Sequence, residues 1–65
     1  MDYIVTIEAT CTFNINGVEE QVMHLFKGIG FTIDEAEKAA RRKMAVYNTN
    51  KYVSNMEVKT IYIDW

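Results

Sequence analysis

The chain opens with a long alternation of apolar and polar residues that ends in a tight-turn signal. From Tyr3 to Ile15, one parity is almost entirely apolar, and the other holds mainly threonines, acids and asparagine. A period of two, rich in β-branched residues, is typical of a half-buried strand. Asn16-Gly17 follows, a pair that tolerates positive φ at both central positions of a two-residue turn. The sequence therefore predicts a long β-hairpin.

A two-residue turn also fixes which residues of the two strands face each other. The predicted pairs are Ile15 with Val18, Phe13 with Glu20, Cys11 with Val22, Ala9 with His24 and Ile7 with Phe26. Because neighbouring residues of a strand point to opposite faces, this register turns Met23 and Leu25 away from the face that carries Cys11. We expect Gly28 and Gly30 to end the second strand in a bulge or bend.

The segment after the glycines has the signature of a capped helix. Thr32 and Glu35 are spaced as a capping box, in which each side chain can bond to the backbone of the other residue. Apolar residues then recur at helical spacing on one stripe: Ile33, Ala36, Ala40, Met44 and Tyr47. The polar run after Tyr47 ends the helix, and Tyr52–Trp65 is predicted to form a third strand.

These elements have few ways to assemble. A chain of 65 residues has room for one domain, here 1–65. A right-handed crossover from the second strand to the third passes over the first strand and leaves it central. The prediction is an α+β fold with ββαβ order: a three-stranded antiparallel sheet in the order 2-1-3, with one helix packed on one face.

The face without the helix is the predicted partner-binding site. Ile4, Met23 and Leu25 lie on it, and the third strand is expected to bring Ile61, Ile63 or Trp65 near Ile4. Contiguous exposed apolar surface usually marks association. The third strand is apolar on both parities, however, so the alternative is a bulge that turns its side chains under the helix. The free edges of the sheet offer a second route, the pairing of strands with a partner.

The basic run Lys38–Met44 has two interpretations. Lys38 and Arg41 follow acids at a distance of four residues, which is the favourable order for helical ion pairs. On that interpretation the run is the solvated side of the helix. Arg42 and Lys43 have no such partner, so Arg41, Arg42 and Lys43 are candidates for contact with an acidic surface. The acids of the hairpin, Glu19 and Glu20, are the matching polar candidates.

No arrangement of residues predicts catalysis, a metal site or a cofactor. Glu19 and Glu20 fall on opposite sides of their strand and cannot act as a pair. His24 and Cys11 share a face, but no acid completes a nucleophilic relay with them. We expect His24 to be a packed, hydrogen-bonded residue and Cys11 to behave as a small hydrophobic one. The chain is expected not to be an enzyme.

Composition further limits the functional class of the protein. The net charge of −2 disfavours a general polyanion binder, because such binding depends on a basic surface. One cysteine excludes an internal disulfide, and no apolar run reaches the length of a membrane span. These features lead us to expect a protein of the cytoplasm that makes no membrane contact. The hydrophobic content of 49% is generous for so small a domain and suggests association with a partner or a second copy.

Two resemblances bear on function. The run CTFNINGVEEQVMHLFKGIGFTIDEAEKAARRKM resembles the second half of a double-stranded RNA-binding domain, in which Gly-x-Gly precedes a helix with an EAE-x-AA pattern. That family has lysines at the start of the helix for phosphates, where this chain has Ile33 and Asp34. The likeness covers about half of the chain and implies the local fold.

The order of elements along the whole chain is similar to small bacteriophage proteins that inhibit host enzymes, such as an inhibitor of host RNA polymerase. The likeness lies in the long hairpin, the helix opening T-x-x-E-A and the final strand. It implies a compact inhibitor that docks on a host protein. The leading hypothesis is accordingly a non-catalytic, phage or mobile-element protein that modulates a host protein, with a homodimer as one form of association. The alternatives are nucleic-acid binding through the basic side of the helix and a purely structural homo-oligomer.

Overall fold

The computed structural model describes residues 2–65 and contains three strands and one helix. They are β1 (Tyr3–Ile15), β2 (Val18–Gly30), α1 (Ile33–Tyr47) and β3 (Val53–Asp64). The sheet is antiparallel throughout, in the order β2-β1-β3. The predicted α+β fold, its ββαβ order and its strand order are confirmed.

The hairpin forms in the predicted register. Ile15 pairs with Val18 across the turn, and the pairing continues without a shift to Tyr3 and Gly30. Asn16 and Gly17 both have positive φ, 54° and 81°, as a two-residue turn that matches the twist of the strands requires. The Asn14 side chain accepts a hydrogen bond from the amide of Gly17 at 3.1 Å and so braces the turn.

The core lies between β1 and the helix. Alternate residues of β1 have no solvent exposure, and two alanines of the helix close over them: Val5, Ile7, Ala9, Cys11, Ala36 and Ala40. Alanine lets the helix backbone approach the sheet closely. Near the helix C-terminus the contact with the sheet is aromatic. The centroid of the Tyr47 ring lies 4.5 Å from that of His24 and 5.4 Å from that of Phe26.

The glycines of β2 have a different role from the predicted one. The strand runs through Gly28 and ends only at Gly30, so Gly28 does not break it. A methyl group at Gly28 would overlap the carbonyl oxygen of Ala36 and the amide nitrogen of Ala40. The missing side chain at Gly28 therefore makes room for the backbone of α1, which is a packing function.

The helix begins at the predicted cap. Thr32 is extended, and its hydroxyl accepts a hydrogen bond from the amide of Glu35 at 3.1 Å. Asp34 and Glu35 lie in the first turn, where negative charge is favourable near the helix N-terminus.

Replacing Thr32 by alanine is expected to lower the free energy of unfolding by about 1 kcal/mol, because the amide of Glu35 loses its capping acceptor. Urea denaturation followed by circular dichroism would measure this change. Thr32→Ser keeps the hydroxyl and is the matched control. A loss of the same size in both variants would show that the cap contributes nothing.

Candidate binding surface

One face of the sheet carries no helix. On this open face the central row belongs to β1 and is polar: Thr6, Glu8, Thr10 and Thr12. The β2 row beside it holds Gln21, Met23, Leu25, Lys27 and Ile29, and Ile4 of β1 pairs with Ile29 at one end. Met23, Leu25 and Ile29 are more than half exposed. The exposed apolar side chains therefore follow one border of the open face instead of forming a patch at its centre.

The third strand contributes different residues to the open face than predicted. Ile61 pairs with Ile7 and Ile63 pairs with Val5, so both side chains lie on the helix side. Trp65 has the same parity, and its ring lies 6.4 Å from Tyr3, also on the helix side. The prediction that Ile61, Ile63 or Trp65 joins Ile4 on the open face is therefore wrong.

A β-bulge explains this outcome. Glu8 pairs with Thr60 while Ala9 pairs with Val58, which leaves Lys59 as an extra residue in β3. One extra residue reverses the parity of the strand. The apolar residues on either side of Lys59 therefore share the helix-side face: Met56, Val58, Ile61 and Ile63. The bulge explains why the apolar residues of β3 fall on both odd and even positions of the sequence.

Tyr62 and Asp64 occupy the open face in their place. Tyr62 pairs with Thr6 and is 52% exposed, and Asp64 pairs with Ile4. The Tyr62 hydroxyl donates to a carboxylate oxygen of Glu8 at 3.4 Å, which orients this half-buried acid near the middle of the face. The open face thus combines an apolar border with a central carboxylate and a row of threonine hydroxyls.

The helix also leaves part of its own side uncovered. It packs mainly against β2 and β1, and the inner row of β3 stays partly exposed, with Val58 and Ile61 each at 39%. A shallow groove of about 270 Å³ runs between the helix and β3, lined by Arg41, Met44, Ala45, Asn48, Met56 and Val58.

Part of the basic run on the helix forms ion pairs and part does not, as its spacing predicts. Lys38 Nζ lies 3.2 Å from a carboxylate oxygen of Asp34, and Arg41 Nε donates to a carboxylate oxygen of Glu37 at 2.8 Å. Both pairs are exposed. Across residues 2–65, neither Arg42 nor Lys43 makes an ion pair, and together with Ala39 and Val46 they border a shallow apolar depression. Because the helix lies behind the sheet, Arg41, Arg42 and Lys43 cannot share one flat docking footprint with Met23 and Leu25.

The hairpin acids separate as expected. Glu19 pairs with Asn14 on the open face, whereas Glu20 pairs with Phe13 on the helix side. Both are exposed. They lie where the hairpin extends past the end of the helix, and they can contact different parts of a partner.

Of the two residues with reactive side chains, Cys11 lies in the core and His24 is partly buried beside it. Cys11 is fully buried, and burial raises the pKa of its thiol. The His24 ring stacks on Phe26 at 4.5 Å, and its Nδ1 lies 3.1 Å from the carbonyl oxygen of Leu25. Among residues 2–65 no cluster of three or more His, Cys, Asp or Glu side chains is placed to hold a metal ion. Nor does that part of the chain contain a helix long and apolar enough to cross a membrane.

Comparison of the chain with models of known protein families, with curated proteins and with solved structures finds no match in any of the three.

Proposed function

We propose that this chain is a small non-catalytic binding module that docks on another protein through the open face. The observation that carries the proposal is the row of Met23, Leu25 and Ile29, each more than half exposed on a face that α1 does not cover. Exposed apolar side chains of this size, next to polar residues, are a usual feature of protein interaction sites.

The chemistry of the face supports one kind of partner surface. The apolar border supplies the anchor, because buried hydrophobic side chains dominate the affinity of most interfaces. Glu8, Glu19 and Asp64 add acidic groups around it, and Lys59 is already paired with Glu57 at 2.9 Å. The complementary partner surface is apolar along one side and basic or rich in donors opposite Glu8.

The partner class we propose is an enzyme of a bacterial host, inhibited by steric block. Its support is the architectural resemblance to small phage inhibitors, which rests on the order of elements and on no shared functional residue. Docking requires no chemistry from the chain itself. Glu19, which lies on the open face near the hairpin tip, would then adjust specificity at the margin of the contact.

Replacing Ile4 by aspartate tests this function. Ile4 is 37% exposed on the open face, in the central strand and away from both sheet edges. A charge there is expected to reduce the amount of specifically captured partner at least about tenfold, since it would leave an unpaired carboxylate buried in the contact. The measurement is affinity capture from a bacterial lysate, followed by titration of the captured protein with the purified variants.

The matched control is Tyr52→Asp, a change of similar polarity at a 42% exposed position in the loop between α1 and β3. It should capture the partner as the wild type does. Circular dichroism confirms that both variants are folded. Equal capture by wild type and Ile4→Asp would contradict docking through the open face.

A further inference from the structure

The outer edge of β2 is unusually regular for a free strand edge. β2 is 13 residues long, contains no proline and pairs with β1 without any bulge. In the ladder set by the two-residue turn, alternate residues of β2 bond to β1, starting at Val18. The remaining residues direct their backbone N–H and C=O groups outward: Glu19, Gln21, Met23, Leu25, Lys27 and Ile29. Long edges that have neither a bulge nor a proline can pair with other strands.

The opposite edge of the sheet is protected. β3 carries extra residues at two positions, Ser54 and Lys59, where its pairing with β1 shifts. The Ser54 hydroxyl donates to the carbonyl oxygen of Thr12 at 3.3 Å and holds one of these irregularities in place. Both edges carry a lysine, but only β3 has bulges, which interrupt the regular row of outward N–H and C=O groups and so oppose strand addition. Strand pairing is therefore favoured at β2.

Apolar side chains flank the β2 edge on both faces of the sheet. Met23 and Leu25 lie on the open face. On the helix side, Val18 and Val22 are 61% and 45% exposed, because the hairpin extends beyond the last turn of α1. Val46, on the helix, is 72% exposed. A partner strand at this edge would be contacted from both faces.

We propose that two copies of this chain associate edge to edge through β2, antiparallel and centred on His24, to form one continuous sheet. His24 is the midpoint of Val18–Gly30, so this register pairs the whole of β2 with its copy. It places Met23 opposite Leu25 of the second copy, and symmetry repeats this pair on the other side of His24. In this register the hydrogen bonds between the copies join only residues whose backbone groups point outward.

The same register keeps the two helices apart. Each helix starts above the Gly28–Gly30 end of its own β2, as the contacts at these glycines show, and ends with Tyr47 beside His24. In the antiparallel arrangement that half of β2 lies next to the uncovered hairpin half of the second copy. The exposed Val18 and Val22 of one copy then lie beside the helix of the other.

Charge complementarity identifies the occupant of this edge as a second copy. In the proposed register Glu20 lies opposite the second copy's Gly28, over which the helix passes, and so faces the flank that carries Arg42 and Lys43. On the open face Glu19 is the diagonal neighbour of the second copy's Lys27. The arrangement gives Arg42 and Lys43 the acidic partner that they lack in one chain.

Dimerisation through the β2 edge does not depend on docking through the open face. Both open faces would lie on the same side of the extended sheet, and Ile4 would remain uncovered. The Ile4→Asp variant should therefore dimerise as the wild type does, and the two proposals can fail separately.

Sedimentation equilibrium of the purified protein tests the association. The wild type is expected to dimerise with a Kd below about 100 µM, and Gln21→Pro should raise the Kd at least about tenfold. The proline removes an outward amide that does not bond to β1, and edge strands tolerate it. Gln21→Thr, which keeps the amide, should match the wild type. A wild type that stays monomeric up to about 1 mM, or a proline variant that is folded by circular dichroism and has an unchanged Kd, would overturn the proposal.

A charge exchange tests the identity of the partner strand and its orientation. Glu20→Lys and Lys43→Glu should each dimerise more weakly, at least about threefold, because each places like charges together twice across the axis. An equimolar mixture of the two variants should recover wild-type affinity as a heterodimer, since every Lys then faces a Glu. No recovery on mixing would overturn the proposed register.

A cysteine at His24 tests the centre of symmetry. In this register the two copies of residue 24 form a non-hydrogen-bonded pair, with Cα atoms about 4.5 Å apart, within disulfide range. His24→Cys should give a covalent dimer under mild oxidation, whereas the wild type with its buried Cys11 should not. Val22→Cys should not give one either; because Val22 pairs with Cys11 in the same chain, both cysteine variants are made in a Cys11→Ala background. Faster cross-linking at position 22 than at position 24 would overturn the register.

Discussion

Replacing Gly28 by alanine is expected to destabilise the fold by about 3 kcal/mol or more, at the upper end of the range for overpacked cores. The added methyl group would overlap backbone atoms of Ala36 and Ala40 in the centre of the helix–sheet contact. Backbone cannot move aside as a flexible side chain does, so the whole helix would have to shift. A domain of this size rarely has more than about 3–5 kcal/mol of net stability. Most of the variant should therefore be unfolded at 25 °C.

Urea denaturation followed by circular dichroism would measure this loss. Gly17→Ala is the matched control: its methyl group would meet no atom within 4 Å, but its φ of +81° is unfavourable for alanine and should cost about 1 kcal/mol. Ala39→Gly should not rescue Gly28→Ala, because the closest overlaps involve backbone atoms. If Gly28→Ala proved as stable as the wild type, the close approach of α1 to β2 would be contradicted.

Replacing Ile7 by alanine is expected to cost about 2–5 kcal/mol, since a large side chain without solvent exposure is removed from the middle of the core. The loss combines the transfer free energy of the deleted atoms with a cavity beneath Ala36 and Ala40. Thermal denaturation should show a folded baseline that is shortened or absent.

Ile63→Ala removes the same atoms at a position that is 45% exposed and should cost less than half as much. Both variants keep the β2 edge and the open face unchanged, so self-association does not complicate the comparison. Equal losses at Ile7 and Ile63 would show that the core is not centred on β1.

The hairpin and the order of elements follow from the sequence because their causes are local. The Asn16-Gly17 turn fixes the register, and the alternation along β1 identifies its buried parity. The capping threonine at residue 32 likewise marks the start of the helix from a single short-range hydrogen bond. Each feature depends on residues a few positions apart, so the sequence pattern is sufficient to predict it.

The third strand could not be placed in the same way. Its register depends on the bulge at Lys59, and no turn residue links β3 to β1 directly. A single extra residue moved Ile61 and Ile63 from the predicted open face to the helix side. Alternating apolar residues on both sides of a charged one are the signal of such a bulge, but its position is set by long-range pairing.

The role of the glycines was also hidden, because it depends on where the helix lies above the sheet. Gly28 makes room for the backbone of residues that follow it by eight and twelve positions, and the small side chains of Ala36 and Ala40 allow the contact. A glycine in a strand facing an alanine stripe in a helix can indicate such an approach. The exposed Val18 and Val22 depend on the length of α1 relative to the hairpin, which no local pattern reveals.

Residue-resolved amide hydrogen exchange at two protein concentrations tests the association surface most directly. The outward amides of Gln21, Met23 and Leu25 should exchange slowly at high concentration and quickly after dilution, while the amide of Val22, which bonds to β1, is protected at both. Fast exchange at these three positions at both concentrations would contradict the edge-to-edge dimer, because the outward amides of β2 would then be open to water even in concentrated solution.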